Sequence, residues 1–411
     1  MFSFILGLMI LFLMIAISKA FRKKDFMHPL VMYITPFFVQ YFVFYVLTDY
    51  SKVSHETMIL YIGSIFMYIF GYLVTEMIAT RSTTTRPYRR LPFNSHSYWL
   101  YRGITIVGFL SIFYEVLIYG VGSGAANMYD AMAWHIDWGG GYNILAKYVP
   151  FFYGVAFSFF VYNYDYEKKN KKERHRFIWA TIVAYAFAVL TFSRTSIMQQ
   201  TIVLVYIVLY RNRERIFKNI LRIIKIINKA LIGIVILIIA FTIIANLTNK
   251  AGSGGFFSKD FYLWSYFSAQ IRTLDKFVIA HPGVSDFYYI GGIFSRLLGI
   301  DDSFKMFLPT INEFNVFSYI GAVYLDCGNF AYIFQALLGS FVAFIYNMNQ
   351  KKGGYWTIFY AYYAFAVFMS FYAYQYSLTT YIYLLIVFMA IRLFDRLRIK
   401  SYGFYSKVRS V

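Results

Sequence analysis

The chain has 411 residues, of which 60% are hydrophobic, 23% are aromatic and only 14% are charged. A soluble domain is about 25% charged and about 45–50% apolar, so this composition excludes an ordinary soluble protein. Apolar stretches of about 20 residues, each long enough to cross a bilayer as a helix, recur along the whole sequence. The short alternating segments of a membrane β-barrel are absent from the sequence, which leaves an all-α membrane protein.

In chain order, the apolar stretches predict about eleven transmembrane helices. Their approximate bounds are 2–20, 29–48, 58–78, 99–119, 144–164, 177–192, 195–210, 231–247, 316–346, 355–371 and 377–393. A basic cluster, Arg22-Lys23-Lys24, follows the first stretch, which is the reverse of a cleavable signal peptide. We therefore predict a retained first helix with the N-terminus outside, and the odd number of spans places the C-terminus in the cytoplasm.

The basic residues explain the formal net charge of +20. Of the 39 Lys and Arg residues, 30 fall in the segments assigned to the inside and nine in those assigned to the outside. This bias follows the positive-inside rule, so the charge indicates topology, with anionic lipids as partners and no nucleic acid. Cys327 is the only cysteine, which excludes an intrachain disulfide, and no spacing indicates a metal site or a cofactor.

The sequence predicts a single membrane domain, 1–411, with three unusual connecting segments. The outside loop 120–143 is bounded by glycines. The inside segment 211–230 carries basic residues at helical spacing, which indicates an amphipathic helix at the inner leaflet or, equally well, plain topology signals. The longest outside loop, 248–315, contains apolar residues at helical spacing from Trp264 to Val278, and a His-Pro-Gly sequence predicts the end of that helix.

Three outside arginines are candidates for binding an anion. Arg194 lies between two short spans, where a cation is costly unless it is paired, although it could also reach the interface as an ordinary helix-end arginine. Arg272 lies three residues before Asp275, and a local ion pair is its alternative role. Arg296 precedes the acidic pair 301–302, and its alternative role is a surface ion pair. Together the three guanidinium groups would suit a pyrophosphate.

Several outside residues could act as a general base or contact a sugar. His281 and Asp326 are the preferred bases, and the alternative for His281 is an interaction with the helix C-terminus. Trp134 and His135 lie in the glycine-bounded loop, where an indole could stack on a sugar ring or simply occupy the membrane interface. P-loop, G-x-S-x-G, H-E-x-x-H and G-x-G-x-x-G motifs are absent from the sequence, so an enzyme of this kind would use an already activated donor without metal.

Short motifs resemble those of the bacterial oligosaccharide repeat unit polymerases, the Wzy-type O-antigen and capsule polymerases. Asn315-Val316-Phe317-Ser318 and then Tyr324-Leu325-Asp326-Cys327-Gly328 follow the long outside loop. Gly339 occurs in the next helix, Ser193-Arg194-Thr195 occupies a mid-chain turn, and Gly291-Gly292-Ile293-Phe294 lies in the long loop. The resemblance covers roughly residues 190–345.

The resemblance implies a GT-C-like membrane glycosyltransferase in the bacterial inner membrane, with its site facing the periplasm or cell exterior. Such an enzyme transfers a growing glycan from undecaprenyl pyrophosphate to a hydroxyl of the next lipid-linked unit. The lipid pyrophosphate would contact Arg194, Arg272 and Arg296, while Asn315 and Tyr324 would orient sugar or loop. A chain-length regulator and a flippase are the protein partners that the resemblance implies.

Three other functions remain open from the sequence. A membrane acyltransferase acting on sugars would need a histidine-centred site on the spans or the inner side, where His96 and His175 lie in basic loops typical of topology signals. An O-antigen ligase-type transferase would use the same lipid-linked donor and would differ only in its acceptor. A polysaccharide flippase or transporter would carry charged residues along its spans, whereas the predicted spans here are almost free of charge. The polymerase is therefore the preferred prediction.

Overall fold

The computed structural model describes residues 2–47, 53–79, 91, 95–115, 157–164, 171–190, 194–228, 262–280 and 318–373, with isolated positions between 232 and 239 and at 386 and 389. All regular secondary structure in these ranges is helical. The helices are α1 Phe2–Lys23, α2 Pro29–Leu47, α3 His55–Ala79, α4 Ser95–Glu115, α5 Lys171–Leu190, α6 Arg194–Phe217, α7 Tyr262–Ala280, α8 Tyr319–Cys327, α9 Ala331–Lys352 and α10 Tyr355–Met369. Shorter helical pieces occupy 157–163 and 220–228.

Four segments of the described chain are long and apolar enough to cross a membrane. They are Ser3–Lys23, Pro29–Val46, His55–Ala79 and Tyr319–Lys352. Large apolar side chains on their outer faces are exposed, for example Met14 on α1 and Phe66 on α3, as expected for surfaces in contact with lipid. The prediction of an all-α fold is thus confirmed for the described residues, and the four segments are consistent with a helical membrane protein. The number of about eleven spans and the topology stay predictions.

The chain divides into two compact units. The first comprises Met1–Arg86, Leu209–Lys352 and Tyr363–Ser377, and the second comprises Pro87–Val208, Gly353–Tyr362 and Leu378–Val411. The single membrane domain predicted from the sequence stays a prediction.

The α3–α9 pair is the most extensive helix contact in the described part of the first unit. Gly71 and Gly339 let the two backbones touch: a Cβ added to Gly71 would lie 2.0 Å from the carbonyl oxygen of Ala336, and one added to Gly339 would lie 2.0 Å from that of Tyr68. Ser340 Oγ donates a hydrogen bond to the carbonyl of Gly71 at 3.1 Å. Small residues at helix interfaces permit this close approach in membrane proteins.

Aromatic side chains fix α2 against α3 in an antiparallel arrangement. His28 contacts Tyr72 near the start of α2, and its ring centroid lies 5.5 Å from that of Tyr72. One turn further along α2, the Tyr33 ring stacks on Tyr68. Tyr61 then donates a hydrogen bond to Gln40 Oε1 at 3.0 Å.

The apolar stretch predicted as one span, 316–346, is broken in the structure. α8 has only nine residues and ends where Gly328 adopts φ 52°, in the left-handed region that favours glycine. A short 3₁₀ turn, Gly328–Phe330, then leads into α9. Hydrophobicity alone predicted one helix because both halves are equally apolar.

The two halves of this stretch fold back on each other. The ring of Tyr319, at the start of α8, lies 5.9 Å from that of Tyr33, which in turn stacks on Tyr68 at 3.8 Å. Gly339 of α9 packs against the backbone of the same Tyr68. Roughly twenty residues of unbroken helix would hold Tyr319 and Gly339 about 30 Å apart. Because both lie around one residue of α3, α8 must run back beside α9.

The helix predicted within the long outside loop is confirmed as α7. It ends at Ala280, immediately before the His-Pro-Gly sequence, and Ile271, Leu274 and Val278 are buried. The polar residues Gln270 and Thr273 on other faces of α7 are also fully buried. α7 is therefore packed against α2 and α3 within the first unit, and Lys276 and Ile279 on its remaining face are exposed.

In the described part of the second unit, side-chain contacts join segments that are distant in the chain. Asn163 pairs with both backbone groups of Leu91, each at 3.0 Å. Ser158 Oγ donates to the Tyr362 hydroxyl at 3.0 Å, and the guanidinium of Arg102 lies 5.4 Å from the Trp179 ring centroid.

The inside segment predicted as an amphipathic helix is divided. α6 continues to Phe217, and the Asn219 side chain then accepts a hydrogen bond from the Leu221 amide at 2.9 Å, which caps the helical piece 220–228. Ile223 is buried, whereas Ile224 and two neighbouring isoleucines are exposed. Binding of this segment to the inner leaflet stays a prediction.

Candidate functional site

Three of the predicted site residues have described side chains, and they occupy neighbouring helices. Arg272 lies on α7, while Tyr324 and Asp326 lie on α8. The two helices meet where the Phe277 and Tyr324 rings cross edge-to-face at 6.3 Å. The side chains that the sequence assigned to substrate and to proton transfer therefore lie within about two helical turns of a single contact.

Asp275 fastens α7 to the start of α3. Its Oδ1 accepts hydrogen bonds from the Ser54 amide at 2.8 Å and from Ser54 Oγ at 2.6 Å. Ser54 Oγ also accepts a bond from the Thr57 amide, so the same serine caps α3. These bonds give the carboxylate a structural role, and the ion pair with Asp275 that the sequence gave as the alternative role of Arg272 stays a prediction.

The two charged residues of the predicted site differ in their exposure to solvent. Arg272 is partly exposed, whereas the Asp326 side chain is completely buried. A buried carboxylate is retained only where neighbouring groups compensate it, which matches a role in positioning α8. The prediction of Asp326 as a general base stays a prediction.

The remaining predicted site residues lie outside the described side chains. Arg194 is the first residue of α6, and its side chain is not described. The others fall outside the described ranges; they are His281, Arg296, Asn315, Trp134 and His135. Their proposed convergence with Arg272 stays a prediction.

Sequence reasoning missed a group of buried polar side chains inside the first unit. Ser64 on α3, Gln270 on α7, Ser318 before α8 and Gln335 on α9 are at most 1% exposed, and their side-chain polar atoms make no hydrogen bond in the described structure. Ser64 and Gln335 both fall within the contact between α3 and α9, between residues that touch across it. A glutamine within an apolar span, as at position 335, was the available signal.

A second polar cluster lies at the end of α3 that is remote from Ser54, and we call it the basic end. Here α1, α3, α6 and α9 all terminate. Lys19 pairs with Glu76 at 2.6 Å, Lys24 pairs with Glu214 at 2.7 Å, and Arg213 donates to the Gln350 side chain. The lysine beside Glu214 holds the pKa of that carboxyl below its usual range.

Asp25 and His28 form the buried part of the basic end. Tyr346 donates its hydroxyl proton to Asp25 Oδ2 at 3.0 Å, and the Met27 amide donates to Oδ1 at the same distance. Burial raises the pKa of Asp25 to about 6, although both bonds oppose the rise. Burial, with two nearby lysines, lowers the pKa of His28 to about 3, so its imidazole is neutral and bonds to Tyr72 at 3.2 Å.

No protein-family model matches this chain, and comparisons with curated proteins and with solved structures give no significant match. The functional interpretation therefore depends on the residues and their arrangement.

Proposed function

We propose that this protein is a bacterial membrane glycosyltransferase that polymerises lipid-linked oligosaccharide units at the outer face of the cytoplasmic membrane. The observation that carries the proposal is the partly exposed Arg272 on α7, held beside α8 by the contact between Phe277 and Tyr324. α7 lies in the long outside loop, where a lipid pyrophosphate at the outer interface would be presented. The resemblance to repeat unit polymerases, in the motif that contains Tyr324 and Asp326, is the second support.

The proposed topology has about eleven spans, an outside N-terminus and a cytoplasmic C-terminus. Contacts in the first unit support it. Four segments assigned to the inside meet at the basic end, because Lys24 contacts Glu214, Tyr346 contacts Asp25 and Lys19 contacts Glu76. Two segments assigned to the outside meet at the other end through the bonds between Ser54 and Asp275.

In the proposed reaction, an acceptor hydroxyl oxygen attacks the anomeric carbon of the donor glycan. The bond between that carbon and the lipid pyrophosphate breaks, and the electron pair leaves with the pyrophosphate. Arg272, with Arg194 and Arg296, would stabilise this developing charge, which is commonly a large part of catalysis. His281, directly after α7 in the chain, would accept the hydroxyl proton, and the buried Asp326 would position α8.

Deletion of the gene, followed by sizing of lipid-linked oligosaccharide and surface polymer, tests the proposal. We expect single repeat units to accumulate and long polymer to disappear, with restoration by the wild-type chain. Arg272→Ala should fail to restore polymer at normal protein level, since an anion contact at a reacting centre contributes about 10²–10³-fold in rate. Lys276→Ala is the matched control, because Lys276 is an exposed cation on the same helix, and it should restore full polymer.

Other outcomes of the same experiment separate the alternatives. Long polymer left on its lipid carrier would indicate a ligase-type transferase, and single units trapped on the cytoplasmic side would indicate a flippase. If Arg272→Ala and Arg194→Ala both give full polymer length and yield, the proposal that these arginines bind the pyrophosphate is wrong.

A further inference from the structure

A cavity of about 320 Å³ opens at the basic end, between the ends of α1 and α3. Lys19, Arg22, Lys23, Glu76 and Met77 form its lining. All five belong to the first unit. The cavity lies at the opposite end of α3 from Ser54 and Asp275, so it is distinct from the site proposed above.

The charges of this cavity do not balance. Glu76 is 2% exposed and pairs with Lys19 at 2.6 Å and with Lys23 at 3.5 Å, while the two lysine side chains are 26% and 27% exposed. Arg22 is exposed and has no ionic or hydrogen-bond partner in the described structure. One carboxylate therefore faces three cations, which leaves two positive charges for an anion.

Exposed apolar side chains continue from the cavity along the same faces of both helices. Met77, which lines the cavity, is 68% exposed, and Phe70, about two turns away on the same face of α3, is 50% exposed. Leu11, about three turns from Arg22 on the same face of α1, is also 50% exposed. A free anion would use the cations alone. A lipid with an anionic headgroup would use both features, with its phosphate in the cavity and its acyl chains along α1 and α3. Burial of such chains against exposed apolar surface is favourable.

We propose that this cavity is a binding site for the headgroup of an anionic phospholipid. Arg22 contacts the phosphate oxygens through its planar guanidinium, and Lys19 and Lys23 supply point charges on the other side. Glu76 holds the two lysines at the cavity wall. The site is independent of the proposed glycosyltransferase activity, because it lies at the other end of α3 and involves none of the residues assigned to that reaction.

The experiment compares lipids added to the detergent-purified protein, with the unfolding temperature and native mass spectrometry as readouts. Phosphatidylglycerol is the probe, and phosphatidylcholine, glycerol phosphate and undecaprenyl phosphate are added in parallel. Arg22→Gln removes one cation without leaving a buried partner unpaired. Lys352→Gln makes the same change in charge at the exposed end of α9, outside the cavity.

We expect phosphatidylglycerol, but neither phosphatidylcholine nor glycerol phosphate, to stabilise the wild type and remain bound in the mass spectrometer. Arg22→Gln should weaken that binding about fivefold, the effect of one basic residue at a lipid surface, and Lys352→Gln should leave it unchanged.

Equal stabilisation of both variants by phosphatidylglycerol would overturn the proposal, as would the absence of any stabilisation of the wild type. Full stabilisation by glycerol phosphate would show a site for a soluble phosphate. Selective binding of undecaprenyl phosphate would assign the cavity to the lipid carrier instead of a phospholipid.

Discussion

The two ends of the first unit are stabilised in different ways. At the basic end, the buried charged groups have a partner of opposite charge or a hydrogen bond, as with Lys19 and Glu76 or Asp25 and Tyr346. At the opposite end the contacts are mostly uncharged: Gln40 donates to the Phe371 carbonyl, and aromatic rings join α7 to α8.

This difference indicates a division of roles. Paired charges need a well-defined geometry, so we expect the basic end to hold the ends of α1, α3, α6 and α9 in fixed positions. The opposite end contains buried polar groups without hydrogen bonds, among them Gln270 and Ser318, and a partly exposed arginine. Such groups have no existing bonds that a polar ligand would have to break, which supports the proposed position of the substrate at this end.

We expect the largest effect on stability at the contact between α3 and α9, because this helix pair connects the two ends of the first unit. Gly339→Ala would place a Cβ 2.0 Å from the Tyr68 carbonyl oxygen, and neither backbone can yield easily. We expect a loss of stability of about 3 kcal/mol or more, the upper part of the range for overpacking. The measurement is the unfolding temperature and yield of the detergent-purified protein.

Gly7→Ala is the control for this change, because nothing lies within 4 Å of the added Cβ. It should leave stability unchanged or slightly raised, since alanine favours the helix. A Gly339→Ala protein as stable as Gly7→Ala would show that α3 and α9 are further apart than described.

The next largest effect should come from the basic end. Lys19→Met removes the 2.6 Å ion pair of the buried Glu76 and keeps its longer pair with Lys23, at 3.5 Å, and we expect a loss of stability of about 2 kcal/mol. Glu76→Gln should cost less, because both lysines retain contact with solvent. Lys24→Met breaks a pair whose side chains are 47% and 61% exposed, and should cost at most about 0.5 kcal/mol. Chemical unfolding measures the loss of stability in each of the three proteins. An equal loss in all three would contradict the interpretation that the buried ion pairs hold these helix ends in place.

A smaller effect is expected at the opposite end. Ser54→Ala removes the 2.6 Å bond to Asp275 and the cap of α3 at once, while the Ser54 amide still donates to the carboxylate. We expect a loss of stability of about 1–2 kcal/mol. Ser54→Thr retains the hydroxyl and should recover most of it. Hydrogen exchange in α7 should increase in the alanine protein, and unchanged exchange would mean that Asp275 does not anchor this helix.

The smallest net effect concerns pH, because two groups oppose each other. The folded pKa of Asp25, about 6, exceeds its ordinary value of 3.8, so Asp25 favours the folded state as pH falls through 6. The folded pKa of His28, about 3, is below its ordinary 6.5, so His28 disfavours the folded state as pH falls through 6.5. Between about pH 6 and pH 4 their contributions cancel.

Variants of these two residues should separate the contributions. Relative to wild type, Asp25→Asn should lose stability between about pH 6.5 and pH 4.5, and His28→Gln should gain stability over the same range. The measurement is the unfolding temperature of the three proteins at the two pH values. Identical pH dependence in all three would mean that neither group is buried as described.

The sequence by itself determined the structural class of this protein and the positions of many of its helices along the chain. Runs of apolar residues predict helices wherever water is replaced by lipid, and α1, α2, α3 and α7 lie where those runs placed them. The end of α7 was also predictable, since Pro282 cannot continue a helix. Arg272 and Asp326 could be selected because charged residues are rare in such a chain.

Tertiary structure alone decided which of these residues meet and which are enclosed. The reversal at Gly328 is invisible to hydrophobicity, because the residues on both sides of it are apolar in either arrangement. Three features depend on residues that are far apart in the chain or on separate helices. They are the burial of Asp326, the bonds between Ser54 and Asp275, and the cavity at Arg22. A local pattern describes only the periodicity of its own helix, whereas contacts depend on how the faces of several helices pack together.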